Sequence, residues 1–264
     1  MNSYTTREAI DILIAKAKAK TKLPLPQLII LGINAGALIA FGYLAFLRVS
    51  GAVPKEWGSV ATFLGACVFP IGLIALSFLG GELLTGNMMV MTMAVLDREI
   101  RLRELFKNWL LVFLTNAIGG ILVAFFFGHF VGLSEGSFLA KTGAVATAKL
   151  ADGPLMMVVS GIGCNIFVCM AVFIATVSKD FLGKMFSLWF PIMIFVVCGF
   201  QHVVANAFIL PAYLFAGGAI TWGQIIENLI FVGIGNALGG ALFVAFPLII
   251  LNPQQKEADN ESRA

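Results

Sequence analysis

The chain contains two histidines, and one of them, His202, stands in GFQHVVANAF (199–208), in the middle of a stretch from Met185 to Gln224 with no Lys, Arg, Asp or Glu. Its imidazole can donate or accept a hydrogen bond and exchange a proton near neutral pH. Gln201 precedes it, and Asn206 lies five residues after Gln201. A second polar cluster, GGELLTGN (80–87), interrupts another apolar region and again places a polar pair, Glu82 and Asn87, five apart, with Thr85 between them. An ionisable group in so apolar a run is costly unless it faces a protein interior or a watery path, so it marks a route for a polar solute or a proton. The plainer use of these groups is to satisfy backbone N–H and C=O groups freed where a helix breaks. That use suits Glu82, Gln201, Asn87 and Asn206 best, and is open to His202.

The elements that position these residues follow from composition and length. With 59% hydrophobic and 12% charged residues and a mean hydropathy of +0.96, the chain reads as an integral membrane protein. Apolar runs of about 20 residues, and the absence of alternating ten-residue segments, predict a polytopic α-helical protein rather than a β-barrel. Spans are expected near 27–47, 104–130, 154–178 and 225–251. The regions 58–96 and 185–217 are each too long for one helix crossing about 30 Å of hydrocarbon and too short beyond their polar centres for two. Each therefore reads as a helix, a non-helical break and a half-helix.

The two breaks are copies. Glu82 and Gln201 are 119 residues apart, as are Asn87 and Asn206, and NAIGGIL (116–122) matches NALGGAL (236–242) at an offset of 120. Three spans per copy force the second copy to cross from the opposite side, giving two inverted repeats, 25–130 and 150–251, in a single transmembrane domain of 1–264. All but four of the 17 basic residues, Arg48, Lys55, Lys141 and Lys149, fall on one side, which predicts that both termini, including a tail at 252–264, are cytoplasmic.

Residues 1–24 read as a cytoplasmic amphipathic helix lying on the membrane surface. Ala9, Ile10, Leu13, Ile14 and Ala17 share a face, Thr5 and Glu8 have capping-box spacing, and Pro24 and Pro26 stop it. More than twenty residues precede the first apolar run, so no cleavable signal peptide is expected. Cys67, Cys164, Cys169 and Cys198 read as reduced core thiols, Gly119, Gly120, Gly239 and Gly240 as close helix packing, and Trp57, Trp109, Trp189 and Trp222 as an aromatic belt. His129 is expected at the membrane interface. No metal, cofactor or nucleic-acid site is legible, since there is no ligand cluster and no basic stripe on a soluble surface.

The paired motifs GGELLTGNMM and GFQHVVANAF, the segment GIGCNIFVCMAVF (161–173) and the duplicated NA(I/L)GG helices resemble the formate/nitrite transporter family across nearly the whole chain. That resemblance implies an all-α, aquaporin-like six-helix bundle with broken second and fifth helices. It further implies a homopentamer in a bacterial inner membrane, with one pore per protomer for a small anionic substrate. It makes His202 the central pore histidine, faced by Thr85, with Phe69, Leu73, Leu83 and Phe195 forming two hydrophobic constrictions around it. Asn165 and Asn236 then lie near the pore, and Lys149 in the loop before the fourth span. Many relatives have Glu beside the histidine, where this chain has Gln201.

A bare anion crosses apolar constrictions poorly, because burying an unpaired charge costs far more than burying a neutral acid. A carboxylic acid with a pKa near about 3.5 is an anion in the cytoplasm, but desolvation favours its protonated form. The expectation is therefore proton-linked transport: Lys149 attracts the anion, His202 donates a hydrogen bond or relays a proton, Thr85 is a second donor, and half-helix N-termini add positive potential. Formate is the first substrate choice; nitrite, hydrosulfide and short monocarboxylates follow. A neutral-solute channel of aquaporin type is expected to carry two Asn-Pro-Ala motifs, where this chain has TGN and VAN. A membrane enzyme is not expected, since there is no HExxH, no GxSxG and no pair of intramembrane carboxylates.

Overall fold

The computed structural model describes residues 3–253; of the expected tail, 254–264 lie outside the described residues. Helix α1 (Thr6–Thr21) begins where the Thr5 hydroxyl accepts the Glu8 N–H and the Glu8 carboxylate accepts the Thr5 N–H at 2.7 Å. Its expected apolar face is buried, but against protein, in a cluster with Met89, Val90, Met93 and Ala94. The amphipathic pattern dictates which face leaves water and is silent about what receives it; here the receiver is protein, chiefly the helix that carries Met89–Ala94, with Cys169, Ala245 and Ile249 of the second repeat in the same cluster.

Six spans follow. The first is α2 (Leu25–Ala52). The second is α3 (Ser59–Val68) and α4 (Ile71–Leu79), bent at Phe69–Pro70, then a break, then the half-helix α5 (Leu84–Leu96). Proline lacks an N–H and crowds the preceding turn, which accounts for the bend. The third is α6 (Leu102–Val123), running on through a π-helical turn at Ala124–Phe130. A connecting helix, α7 (Leu139–Ala151), leads to the fourth, α8 (Pro154–Val177). The fifth is α9 (Phe181–Val197), a break and the half-helix α10 (Val203–Phe215). The sixth is α11 (Trp222–Leu238), a π-helical turn at Gly239–Ala245 and α12 (Phe246–Leu251). Among the described residues there is no strand, only a β-bridge between Ser3 and Ser178.

The inverted repeat shows in the packing. Helix α2 lies along α6 as α8 lies along α11, and each half-helix packs on spans of the other repeat, α10 on α2 and α6, α5 on α8 and the Gly239–Ala245 turn. The close approach needs glycine: a Cβ on Gly119 would stand 2.1 Å from the Ile33 carbonyl oxygen, and one on Gly239 2.6 Å from that of Ile162. Ten of the thirteen residues of α5, and ten of the thirteen of α10, are buried, so the half-helices form the core rather than a lipid face. The outside is apolar instead. Phe106, Leu110, Leu114, Ile118 and Leu122 line α6, and Ile226, Ile230, Ile234, Leu238 and Leu242 line the last span, every fourth residue and all exposed. Such stripes are stable against hydrocarbon or neighbouring subunits, not water.

Three further sequence expectations change here. Lys149, expected in the loop before the fourth span, lies in the last turn of helix α7. Cys164 and Cys169 are buried and Cys67 half-buried, but Cys198 is exposed, because it caps α9 where the helix ends and the break begins. Trp109 and Trp189 are more than belt: their indole N–H groups donate to the Asn87 carbonyl at 3.3 Å and the Cys67 carbonyl at 2.8 Å.

Candidate functional site

Each break opens at a glycine in the left-handed region, Gly80 (φ 89°) and Gly199 (φ 73°), a conformation strained for residues with a Cβ. Each then exposes backbone groups deep in the bundle, where an unmet group costs about 1–3 kcal/mol. The same amides meet them twice. Asn116 Oδ1 accepts the Leu84 N–H at 2.9 Å while its Nδ2 donates to the carbonyls of Glu82 and Gly32. Asn236 Oδ1 accepts the Val203 N–H at 2.9 Å while its Nδ2 donates to the carbonyls of Gln201 and Gly161. Asn87 donates to Glu82 and Asn108; Asn206 donates to Gln201 and Asn228. Asn165 donates to the carbonyls of Thr85 and Asn236, tying the two breaks together. Asn165 and Asn236 are fully buried; Asn236 donates to backbone, and Asn165 to backbone and to the Met88 sulfur.

The heads of the half-helices meet. Thr85 Oγ1 lies 3.0 Å from His202 Nε2, across 117 residues of sequence. His202 caps α10 through Nδ1, which accepts the Ala205 N–H at 3.1 Å. With Nδ1 an acceptor, the neutral ring carries its hydrogen on Nε2 and donates it to Thr85. The Thr85 hydroxyl hydrogen is then not spent on His202. Phe195 stacks on His202 at 5.9 Å and meets Phe69 edge-on at 5.7 Å. Both helix N-termini bring partial positive charge to this point.

Two cavities approach it. One, of about 540 Å³ on the α1 side, is lined by Leu73 and Leu83 together with Lys16, Lys20 and Lys184. The other, of about 450 Å³ on the α7 side, is lined by Phe69, Phe195 and His202 together with Lys149, Asp152 and Gln201. Phe69, Leu73, Leu83 and Phe195 are all at most 5% exposed, and Thr85, fully buried, lines neither cavity. Burial lowers the Lys149 ammonium to about 8, against the opposing pull of Cys164 and Asp152. Lys16 is lowered too, by burial and then by the like charges of Lys20 and Lys184.

The structure therefore brings together Thr85, His202, Phe69 and Phe195, places Leu73 and Leu83 on one cavity and Lys149 and Gln201 on the other, and sets the asparagines on backbone. Sequence reasoning missed Asn108 and Asn228, although they repeat at an offset of 120 like Asn116 and Asn236. It also missed the Lys20–Glu82 ion pair and the Gln201–Asp152 hydrogen bond, which no local pattern encodes. Among the described residues no group of three His, Cys, Asp or Glu is placed to hold a metal.

A family model described as formate/nitrite transporter matches residues 7–250. An uncharacterized transporter of Bacillus subtilis is 48% identical over 97% of this chain and 96% of its own length. A formate channel of Bacillus thuringiensis is 43% identical over 93% and 95%, and a probable formate transporter of Methanothermobacter thermautotrophicus 40% identical over 88% and 90%. Among solved structures, an ion channel of the same family superposes with a TM-score of 0.87 at 24% identity, covering 93% of this chain and 99% of that one. A pentameric formate channel with formate bound superposes with a TM-score of 0.74 at 26% identity, covering 86% and 97%.

Proposed function

The chain belongs to the formate/nitrite transporter family and is a multi-pass membrane protein, and from that premise we propose that it carries formate across a bacterial plasma membrane as a homopentamer with one pore per protomer. The observation that carries the reading is the Thr85–His202 contact at the meeting of two helix breaks, flanked by two separate cavities. Relatives named for formate, and a structural relative with formate bound, favour it over nitrite.

In this scheme the termini and the α1-side cavity are cytoplasmic, as the basic residues indicate. Lys149 raises the local anion concentration at the outer mouth. Phe69 and Phe195 on that side, with Leu73 and Leu83 on the other, strip water from the solute. A formate anion pressed against these rings is poorly solvated and gains from taking up a proton; the neutral acid crosses cheaply. The proton comes from water on the side from which formate enters, and the Thr85 hydroxyl, oriented by His202 Nε2–H, is the ready hydrogen-bond donor to the solute. A second ring hydrogen, on Nδ1, would face the Ala205 N–H, so His202 relays a proton only by releasing its cap on α10.

The test is uptake into proteoliposomes of formate, nitrite, hydrosulfide, acetate and lactate at two external pH values. Formate is expected first in rank, faster at the lower pH. Flux of water or glycerol with no anion flux would overturn the reading.

A further inference from the structure

Lys20 and Lys149 each stand on one of the two cavities, and only Lys20 has a carboxylate in contact. Its ammonium is paired with Glu82. Lys149 has no ion pair among the described residues, and the position equivalent to Glu82 is Gln201. The Gln201 amide is fixed from both ends. Its Oε1 accepts from Asn206 at 2.8 Å and from Asn228 at 3.0 Å, while its Nε2 donates to Asp152 Oδ2 at 2.7 Å and to the Lys149 carbonyl at 3.2 Å. A glutamate at 201 would keep the first two bonds, but its second oxygen would face a carboxylate and a carbonyl. Gln201 and Asp152 thus require each other: the negative charge of this mouth sits at the end of α7 and not beside His202.

We propose that Asp152 is a positioning residue of the α7-side mouth. Through Gln201 it holds the end of α7 and supplies Lys149 with a nearby, non-contacting negative charge, so that the ammonium stays cationic and open to an incoming monovalent anion. The Lys149 carbonyl is held by Gln201 and by Asn228 at 3.0 Å, which fixes the backbone while the side chain faces the cavity. The titratable groups around Lys149 are Asp152 beyond α7, Cys164 on α8, His202 at the head of α10, and Lys141 and Tyr43 on the same cavity. Asp152 favours the charged ammonium, so removing it makes Lys149 lose its proton at a lower pH.

The proposal rests on Lys149 acting as an anion receptor, and two readouts separate its failure from that of the transport reading. In the first, uptake into right-side-out vesicles is measured against external pH. Asp152→Asn is expected to raise KM for formate about fivefold, the scale of one screened charge interaction. It should also move the alkaline limb to lower pH and leave the maximal rate within about twofold, whereas Asp152→Glu stays near the parent. Gln201→Glu should raise KM at least as much, and adding Asp152→Asn to it should recover part of the loss. In the second, which needs no transport, the pH dependence of Lys149 acylation by an amine reagent is read by mass spectrometry, and Asp152→Asn should shift it to lower pH. A parental KM, pH profile and acylation profile in folded Asp152→Asn overturns the proposal, as does a loss of maximal rate alone that Asp152→Glu shares. If Asp152→Asn does not fold, Gln201→Glu and Asp152→Glu decide by the same measures.

Discussion

Laid over each other, the two breaks agree wherever backbone must be held and differ wherever a side chain reaches a cavity or the joint. Gly80 and Gly199 share a positive φ, Asn116 and Asn236 make the same three backbone bonds, and Asn108 and Asn228 accept alike from Asn87 and Asn206, although only Asn228 also donates, to Gln201 and the Lys149 carbonyl. Leu83 and His202 are equivalent, as are Thr85 and Val204, and Glu82 and Gln201. The donor pair Thr85–His202 thus draws one member from each copy, at positions that are not equivalent to each other. Duplication supplied a symmetric frame, and the chemistry lies in the departures from symmetry. Charge departs in the same way. On the α1 side a lysine is locked to a carboxylate; on the α7 side the lysine has no ion pair among the described residues and the carboxylate is turned toward an amide.

The sharpest way to break the comparison is at the shared clamps. Asn236→Leu strands the Val203 N–H and two carbonyls, and Asn116→Leu strands the matching groups. At about 1–3 kcal/mol per stranded group, both variants should lose the folded protein in detergent, by size exclusion and thermal melting, and to the same degree. A mild effect from one of them would mean the frame is not symmetric. Next come the departures. His202→Leu and Thr85→Val each install the other repeat's residue at its equivalent position and should keep the fold while lowering formate flux tenfold or more, on the scale of a hydrogen bond to a charged group, about 1.5–3 kcal/mol. Flux unchanged in both would remove the joint from the mechanism. Smallest is Glu82→Gln, which makes the first break resemble the second. Asn87 retains an acceptor, but Lys20, whose side chain is 18% exposed on the cavity, loses its partner. A cost of about 1 kcal/mol in thermal stability is expected, shrinking as salt is raised, with α1 more open to protease.

Much of this frame was legible in the residues. Length arithmetic required a break within each of the polar centres 80–87 and 199–206, the offset of 119 made them copies, and the face Ala9, Ile10, Leu13, Ile14 and Ala17 is the one buried. Other features were not. The bend at Phe69–Pro70, the π-helical turns and the docking of α1 on α5 depend on which neighbours are present. Resemblance placed Asn165 and Asn236 near the pore; the structure shows Asn236 bonded to one N–H and two carbonyls, and Asn165 donating to two carbonyls, because a helix break in a bundle needs its polar groups met first.

By itself the sequence determined where hydrocarbon could be crossed and where it could not, since hydropathy, span length and residue repeats are local quantities read along the chain. Only the tertiary structure decided which charge meets which: Lys20 with Glu82, Gln201 with Asp152, Thr85 with His202. These partners lie 62, 49 and 117 residues apart. Electrostatic and hydrogen-bond energies fall away within a few ångströms, so only the folded chain assigns them.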